Sequence, residues 1–207
     1  MADVIRFNSL DVRLETDSLS YDGFFKIRHL SLKHRLFAGG YSDLLQRELC
    51  VRHDAVGILL YDAKLELLAL VEQFRVGALY RDCSPWLLEI VAGMIDKTGE
   101  SAAQVAIRES QEEAGLKVTE LIPMIDYFVS PGGSSERFHL FIGKVDLAAC
   151  QGGIFGLATE GEDILLHTMG IEKAQDMLLQ GKINNSMTII ALQWLLLNKS
   201  IVDKKWC

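Results

Sequence analysis

Positive charge is in short supply in this chain. Its 21 Lys and Arg stand against 28 Asp and Glu, a formal net charge of −7. A groove that tracks a nucleic-acid backbone needs a clustered basic excess, so nucleic acid is not an expected partner. A small anionic substrate fits only where metal ions or local arginines offset the repulsion. Long apolar runs are also missing. The longest, Met187 to Leu197, is about half of what a membrane span requires, and its spacing suits a core-packed helix, so no membrane role is expected. The start, Met1 to Val12, carries Asp3, Arg6 and Asp11 without an apolar core, which argues against a secretory leader. The four cysteines, Cys50, Cys83, Cys150 and Cys207, form no C-x-x-C pair and have no histidine at zinc spacing. They read as reduced thiols in a cytoplasmic protein. Only three prolines occur, and there is no repeat or low-complexity tract.

What is present is a globular composition, 49% hydrophobic and 24% charged, with length for one ordinary domain and a modest extension. Residues 1–50 alternate apolar and polar types, at Val12 and Leu14, then Phe24 to Leu30, then Ser31 to Leu36, with Gly23 and Gly39-Gly40 as punctuation. This predicts two or three antiparallel strands, too small to bury much alone. From about Asp54 the pattern becomes mixed. Strands are expected over Ala55 to Tyr61, Leu65 to Val71, Trp86 to Val91, Val118 to Phe128 (broken at Pro123), Phe138 to Val145 and Asp163 to His167. Helices are expected over Ala102 to Ala114, Ile171 to Gln180 and Ser186 to Asn198. Strands with few, irregularly spaced helices point to a mixed α/β sandwich over residues 51–207 rather than repeated βαβ units.

The helix over Ala102 to Ala114 carries the chemistry. Ser101 is a good N-cap, Gln104 completes a capping box, and Gly115 is placed to end the helix. Glu109, Glu112 and Glu113 fall at i, i+3 and i+4, on one face. Arg108, four residues before Glu112, is placed to hold it. Ala102, Val105, Ala106 and Ser110 make the other face small enough for close approach to a sheet. Carboxylates so close repel one another, and a hard divalent cation with oxygen ligands resolves the conflict. A bare E-x-x-E-E is more often a solvated helix face; the residues around it change that reading.

With Glu100, Arg108, Gly115 and Leu116 included, the segment resembles the Nudix box, G-x5-E-x7-R-E-U-x-E-E-x-G-U, with U aliphatic. The spacing fits from Glu100 to Leu116. Two departures stand: six residues rather than five separate Gly93 from Glu100, and Ser110 replaces an aliphatic residue. The segments Pro85 to Gly93, Ser130 to Glu136, Gly156 to Asp163 and Ile189 to Leu195 resemble the ADP-ribose pyrophosphatase branch of that family. The resemblance covers nearly the whole chain from about Tyr21. It implies an α/β/α sandwich with a mixed sheet, preceded by a small antiparallel β extension, and a homodimer whose N-terminal strands reach the neighbouring subunit.

The same resemblance implies roles. Glu109, Glu112 and Glu113, with the main-chain carbonyl of Ala92, would hold Mg²⁺, with Mn²⁺ as the alternative. Either Glu160 or Glu162 would take the proton of an attacking water; Glu160 is favoured as the base and Glu162 as a further metal ligand. Arg47 and Arg75 match positions that contact substrate, and an arginine fork suits phosphate oxygens. Glu136 would bind ribose hydroxyls, and Phe24 and Phe25 would stack on adenine, with plain strand packing as their alternative. Glu89 would support the site, Trp86 would serve as core or dimer contact, and the five histidines lack ligand spacing. The expected reaction is hydrolysis of ADP-ribose to AMP and ribose 5-phosphate. Two alternatives are hydrolysis of another nucleotide sugar such as GDP-mannose, and a non-catalytic module that senses ADP-ribose. The latter would have damaged carboxylates or an attached DNA-binding domain, and neither is visible here.

Overall fold

The computed structural model describes residues 6–207, so Asp3, part of the start segment read above, lies outside the described residues. The chain divides into two compact units. The smaller comprises the residues up to His53 together with Phe128–Glu136, and the larger Asp54–Tyr127 with Arg137–Cys207.

The smaller unit is an antiparallel sheet in the order β1 (Val12–Asp22), β2 (Lys26–His34), β3 (Leu45–Val51). Ser31 to Leu36 is not a separate strand as expected. Strand β2 runs through Ser31 to His34, and the third strand comes after the Gly39-Gly40 turn. The segment Phe128–Glu136 is tied to β3 by main-chain bonds from Cys50 N–H to Gly133 and from Ser135 N–H to Cys50. Every residue of β1 is exposed, Leu14, Leu19 and Tyr21 among them.

The larger unit is built on β4 (Ala55–Asp62), buried along its whole length. A strand apolar on both sides must be covered on both faces. Strand β4 pairs antiparallel with β5 (Leu67–Phe74) only over Leu60–Asp62; further up the two strands part. Into the gap run β6 (Trp86–Glu89), paired with β5, and β7 (Val91–Met94), paired with β4. The apolar run expected as one strand over Trp86 to Val91 is therefore two, separated at Ile90. Next come α1 (Ala102–Ala114), β8 (Glu120–Phe128), β9 (Arg137–Lys144), β10 (Gly153–Phe155) and β11 (Ile164–Gly170). Helices α2 (Ile171–Leu179) and α3 (Ser186–Trp206) end the chain. The sheet order is β10-β11-β5-β4-β9-β8, and it is mixed because β4 and β9 are parallel.

Two apolar layers flank this sheet. One joins Val56, Ile58, Ala69 and Val71 to Val105 and Ala106 of α1, and the other joins Leu59, Leu68 and Leu70 to residues of α2 and α3. This is the α/β/α sandwich with an N-terminal antiparallel sheet that the sequence predicts. Pro123 does not break β8; that strand lies at the sheet edge, where a missing N–H is tolerated. Helix α3 continues past the expected end at Asn198 to Trp206, anchored where the buried Tyr61 hydroxyl donates to Asp203 at 2.8 Å. Among the described residues no helix is long and apolar enough to cross a membrane.

Candidate active site

Helix α1 begins and ends as its sequence dictates. Ser101 N–H donates to Gln104 Oε1 at 2.9 Å, and Gln104 N–H donates back to Ser101 Oγ. Gly115 closes the helix at φ 64°, a left-handed conformation that favours glycine. Ser110, the residue that departs from an aliphatic pattern, is fully buried and donates its hydroxyl to Ala106 O at 2.7 Å, so the substitution leaves no orphan donor.

The glutamate face of α1 lies over β7. Glu113, only 3% exposed, accepts the Ala92 N–H on Oε2 at 3.1 Å. Burial pushes its carboxyl up to about 8 against the pull of that N–H, and the charges of Glu109 and Glu162 push the same way. Glu109 is pushed up to about 7, first by burial and then by Glu112 and Glu162, with Arg108 pulling back. A side chain at Gly93 would overlap the Glu109 carboxylate, so this position permits the close approach. Arg108 lies among three carboxylates, at 3.1 Å from Glu100, 2.9 Å from Glu109 and 2.7 Å from Glu112. Glu100 thus keeps its arginine partner despite the extra residue after Gly93.

The loop carrying Glu160 and Glu162 is fastened to the same helix. Gly156 N–H donates to Glu112 O, and Glu162 Oε2 accepts Leu157 N–H at 2.9 Å. Glu160 sits in a short 3-10 turn, Ala158–Glu160, and is exposed. On β5 and β6, Arg75 Nε reaches Glu89 Oε2 at 2.8 Å. Glu89 is buried, which raises its carboxyl against the pull of Arg75. Beneath them the start of α3 braces the break between β6 and β7. Thr188 Oγ1 accepts Ile90 N–H at 2.9 Å, and Asn185 Nδ2 donates to Leu88 O at 2.8 Å.

The structure brings Glu109, Glu112, Glu113, Glu162, Ala92 and Arg75 into one electrostatic neighbourhood. Among the described residues no three acidic, His or Cys side chains are already gathered as a metal-binding group, and Arg108 engages Glu109 and Glu112. The donor set nevertheless fits a hard divalent cation. All its atoms are oxygens, and the crowded, desolvated carboxylates are relieved by positive charge.

Other predicted residues belong to the smaller unit. Glu136 is buried and pairs with Arg52 at 3.2 Å, and the Arg52 guanidinium lies 5.1 Å from the Phe25 ring centre. Phe24, 79% exposed, meets Phe25 edge-on at 5.0 Å. Arg47 is exposed and donates to Gln46 O. Arg52 was missed in the sequence, where a lone arginine beside His53 carries no motif. Trp86 is no core residue: it is exposed, edge-on to Phe74 at 5.4 Å. His139 pairs with Asp126 and Asp54 and His167 with Glu72, in keeping with structural roles.

The model of the NUDIX domain matches residues 51–169. The chain belongs to the Nudix family. Among Nudix proteins it is 43% identical to an ADP-ribose pyrophosphatase of Haemophilus influenzae, over 100% of this chain and 95% of that protein. It is 32% identical to a GDP-mannose pyrophosphatase of Cronobacter sakazakii, over 94% of this chain and all of that protein. A crystal structure of an ADP compounds hydrolase shares the Nudix fold with a TM-score of 0.68 at 16% identity, covering 95% of this chain and 97% of that one. The glutamate face of α1 and the loop bearing Glu160 and Glu162 both lie within the matched residues.

Proposed function

We propose that this Nudix hydrolase cleaves the diphosphate of ADP-ribose, giving AMP and ribose 5-phosphate. The observation that carries the reading is the cluster of Glu109 and Glu113, seated at Gly93 and Ala92 of β7, with the charge of Glu162 acting on both. The identity to an ADP-ribose pyrophosphatase, higher than to a GDP-mannose pyrophosphatase, supports the choice of substrate.

Glu109, Glu112, Glu113, Glu162 and the Ala92 carbonyl would hold Mg²⁺, with Mn²⁺ as the alternative. When bound, such ions neutralise charge on the diphosphate and acidify a water. Glu160 takes a proton from the attacking water, whose oxygen bonds to one phosphorus as the bridging P–O bond breaks. Arg75, oriented by Glu89, and Arg47 hold phosphate oxygens. Glu136 accepts from ribose hydroxyls, its second role beside Arg52, and Phe24 and Phe25 offer aromatic faces to adenine.

We assign residues 1–50 to a β extension in contact with a second copy of the chain, and 51–207 to the hydrolase domain. The exposed apolar residues of β1 support a homodimer. The unpaired thiols of Cys50, Cys83, Cys150 and Cys207 go with a cytoplasmic setting. The test is a product assay on ADP-ribose, other ADP-sugars, GDP-mannose and NAD at fixed Mg²⁺. Preference for ADP-ribose, abolished by EDTA and restored by Mg²⁺, is expected. Preference for GDP-mannose overturns the substrate, and binding of ADP-ribose without turnover under any divalent ion identifies a sensing module.

A further inference from the structure

Gln73 is the one polar residue in the α1-facing row of β5 that lacks an evident partner. Ala69 and Val71 of that row pack against α1 in the apolar layer, and alternation along the strand puts Gln73 on the same face. The register sets its surroundings. Glu89 stands opposite Val71 and Leu87 opposite Gln73 on β6, while on the other side Leu165 of β11 stands opposite Glu72. Arg75, just past the end of β5 and two residues beyond Gln73, reaches back to Glu89, so its side chain passes over the level of Gln73.

Gln73 is 8% exposed, and its Nε2 is buried with no hydrogen-bond partner among the described residues. Glu89, on the neighbouring strand, is engaged by Arg75. A buried donor left unpaired is costly, and a methionine or leucine would complete this row without that cost. A buried, unpartnered donor on the face that presents Arg75 and Glu89 is suited to an oxygen that arrives with a ligand.

We propose that Gln73 contacts the substrate, its Nε2–H donating to a phosphoryl oxygen of the bound diphosphate beside the Arg75 guanidinium. The proposal rests on the diphosphatase reading. A neutral amide fits this position because it adds a donor without a permanent positive charge that Glu89 would capture. Arg75 supplies the charge, and Gln73 fixes the angle at which the oxygen sits.

The test compares the full-length wild type with Gln73→Met, which keeps shape and removes the amide, and with Gln73→Glu, which replaces the donor by an acceptor. Three quantities are read: kcat/KM for ADP-ribose, unfolding temperature without ligand, and affinity for an ADP-ribose analogue with a methylene bridge, which cannot be hydrolysed there. For Gln73→Met the expected result is a loss of about 10–100-fold in kcat/KM and in analogue affinity, as for a hydrogen bond to a charged acceptor, at an equal or higher unfolding temperature. Gln73→Glu is expected to lose more. If Gln73→Met keeps kcat/KM and analogue affinity within threefold, the proposal fails. A lowered unfolding temperature with intact kinetics also overturns it, because the amide then serves a buried water or the fold. Should Gln73→Met not fold, Gln73→Glu is judged by the same kinetic and binding criteria. If the wild type hydrolyses no diphosphate, the functional reading fails by itself and analogue affinity decides Gln73: a tenfold loss supports it, no change overturns it. A wild type that does not bind the analogue removes both.

Discussion

The proposed site combines Glu113 and Glu160, which are held in opposite ways. Glu113 stands on a capped helix, is nearly devoid of exposure, and accepts a main-chain N–H from a strand that β4 supports along its length. Glu160 stands on a single 3-10 turn, exposed, in a loop fastened through Gly156 and Glu162 rather than through its own side chain. Burial raises the Glu113 carboxyl to about 8, while Glu160 remains in contact with water. The difference matches two tasks. A group proposed to hold a cation against a fixed diphosphate must not move, and a desolvated scaffold makes its electrostatics strong. A group that receives a proton needs a side chain free to meet the water and release the proton to solvent.

Substitutions at the two positions separate these tasks. Glu160→Gln is expected to lower kcat for ADP-ribose by about 10²–10⁴-fold and to leave the unfolding temperature unchanged, as measured by steady-state kinetics and calorimetry. Full kcat in this variant would remove Glu160 as the base. Glu113→Gln is expected to lower kcat by roughly 10²–10³-fold while raising the unfolding temperature of the metal-free protein. An ionisable group whose charged form is penalised by burial is replaced there by a permanently neutral one, whose amide oxygen still accepts the Ala92 N–H. A Glu113→Gln protein less stable than the wild type would show that the buried charge is not a strain on the fold. Gly93→Ala attacks the scaffold without touching a carboxylate. Its methyl group would displace Glu109, and a misplacement of about 1 Å predicts a loss of roughly 10–10²-fold in kcat/KM. Retained activity would mean that Glu109 has room to move aside.

The sequence made the helix side of this comparison legible and left much of the rest obscure, for a physical reason. Local rules act within α1: the Ser101–Gln104 cap, the Gly115 terminus and the i, i+3, i+4 glutamates are all set by near neighbours, and the helix runs from Ala102 to Ala114 as its pattern predicts. The break at Ile90 is not local. Trp86 to Val91 reads as one apolar run, and only the wedge between β4 and β5 makes it two strands. Pro123 reads as a break because the edge position that tolerates it depends on sheet order. Arg52 and Gln73 carried no motif, since their meaning comes from Glu136 and from the row between Arg75 and Glu89, residues distant in sequence or on other strands.

The weakest expected effect concerns what lies under the fixed half of the site. At the β6–β7 break the Ile90 N–H cannot join either ladder, and it is buried; Thr188, fully buried at the start of α3, accepts it at 2.9 Å. Thr188→Val keeps the shape of the side chain and removes the acceptor, leaving a buried donor without a partner. The cost is about 1–3 kcal/mol of stability, read as a lower midpoint of denaturant unfolding at unchanged slope. Glu89 and Ala92 flank this break, but the pairings of β6 with β5 and of β7 with β4 remain to hold them. Activity is therefore expected to fall less than about tenfold, below the effect of displacing Glu109 directly. If Thr188→Val instead costs as much activity as Gly93→Ala, the two ladders are not enough to fix the break, and α3 belongs to the rigid half of the site as fully as α1.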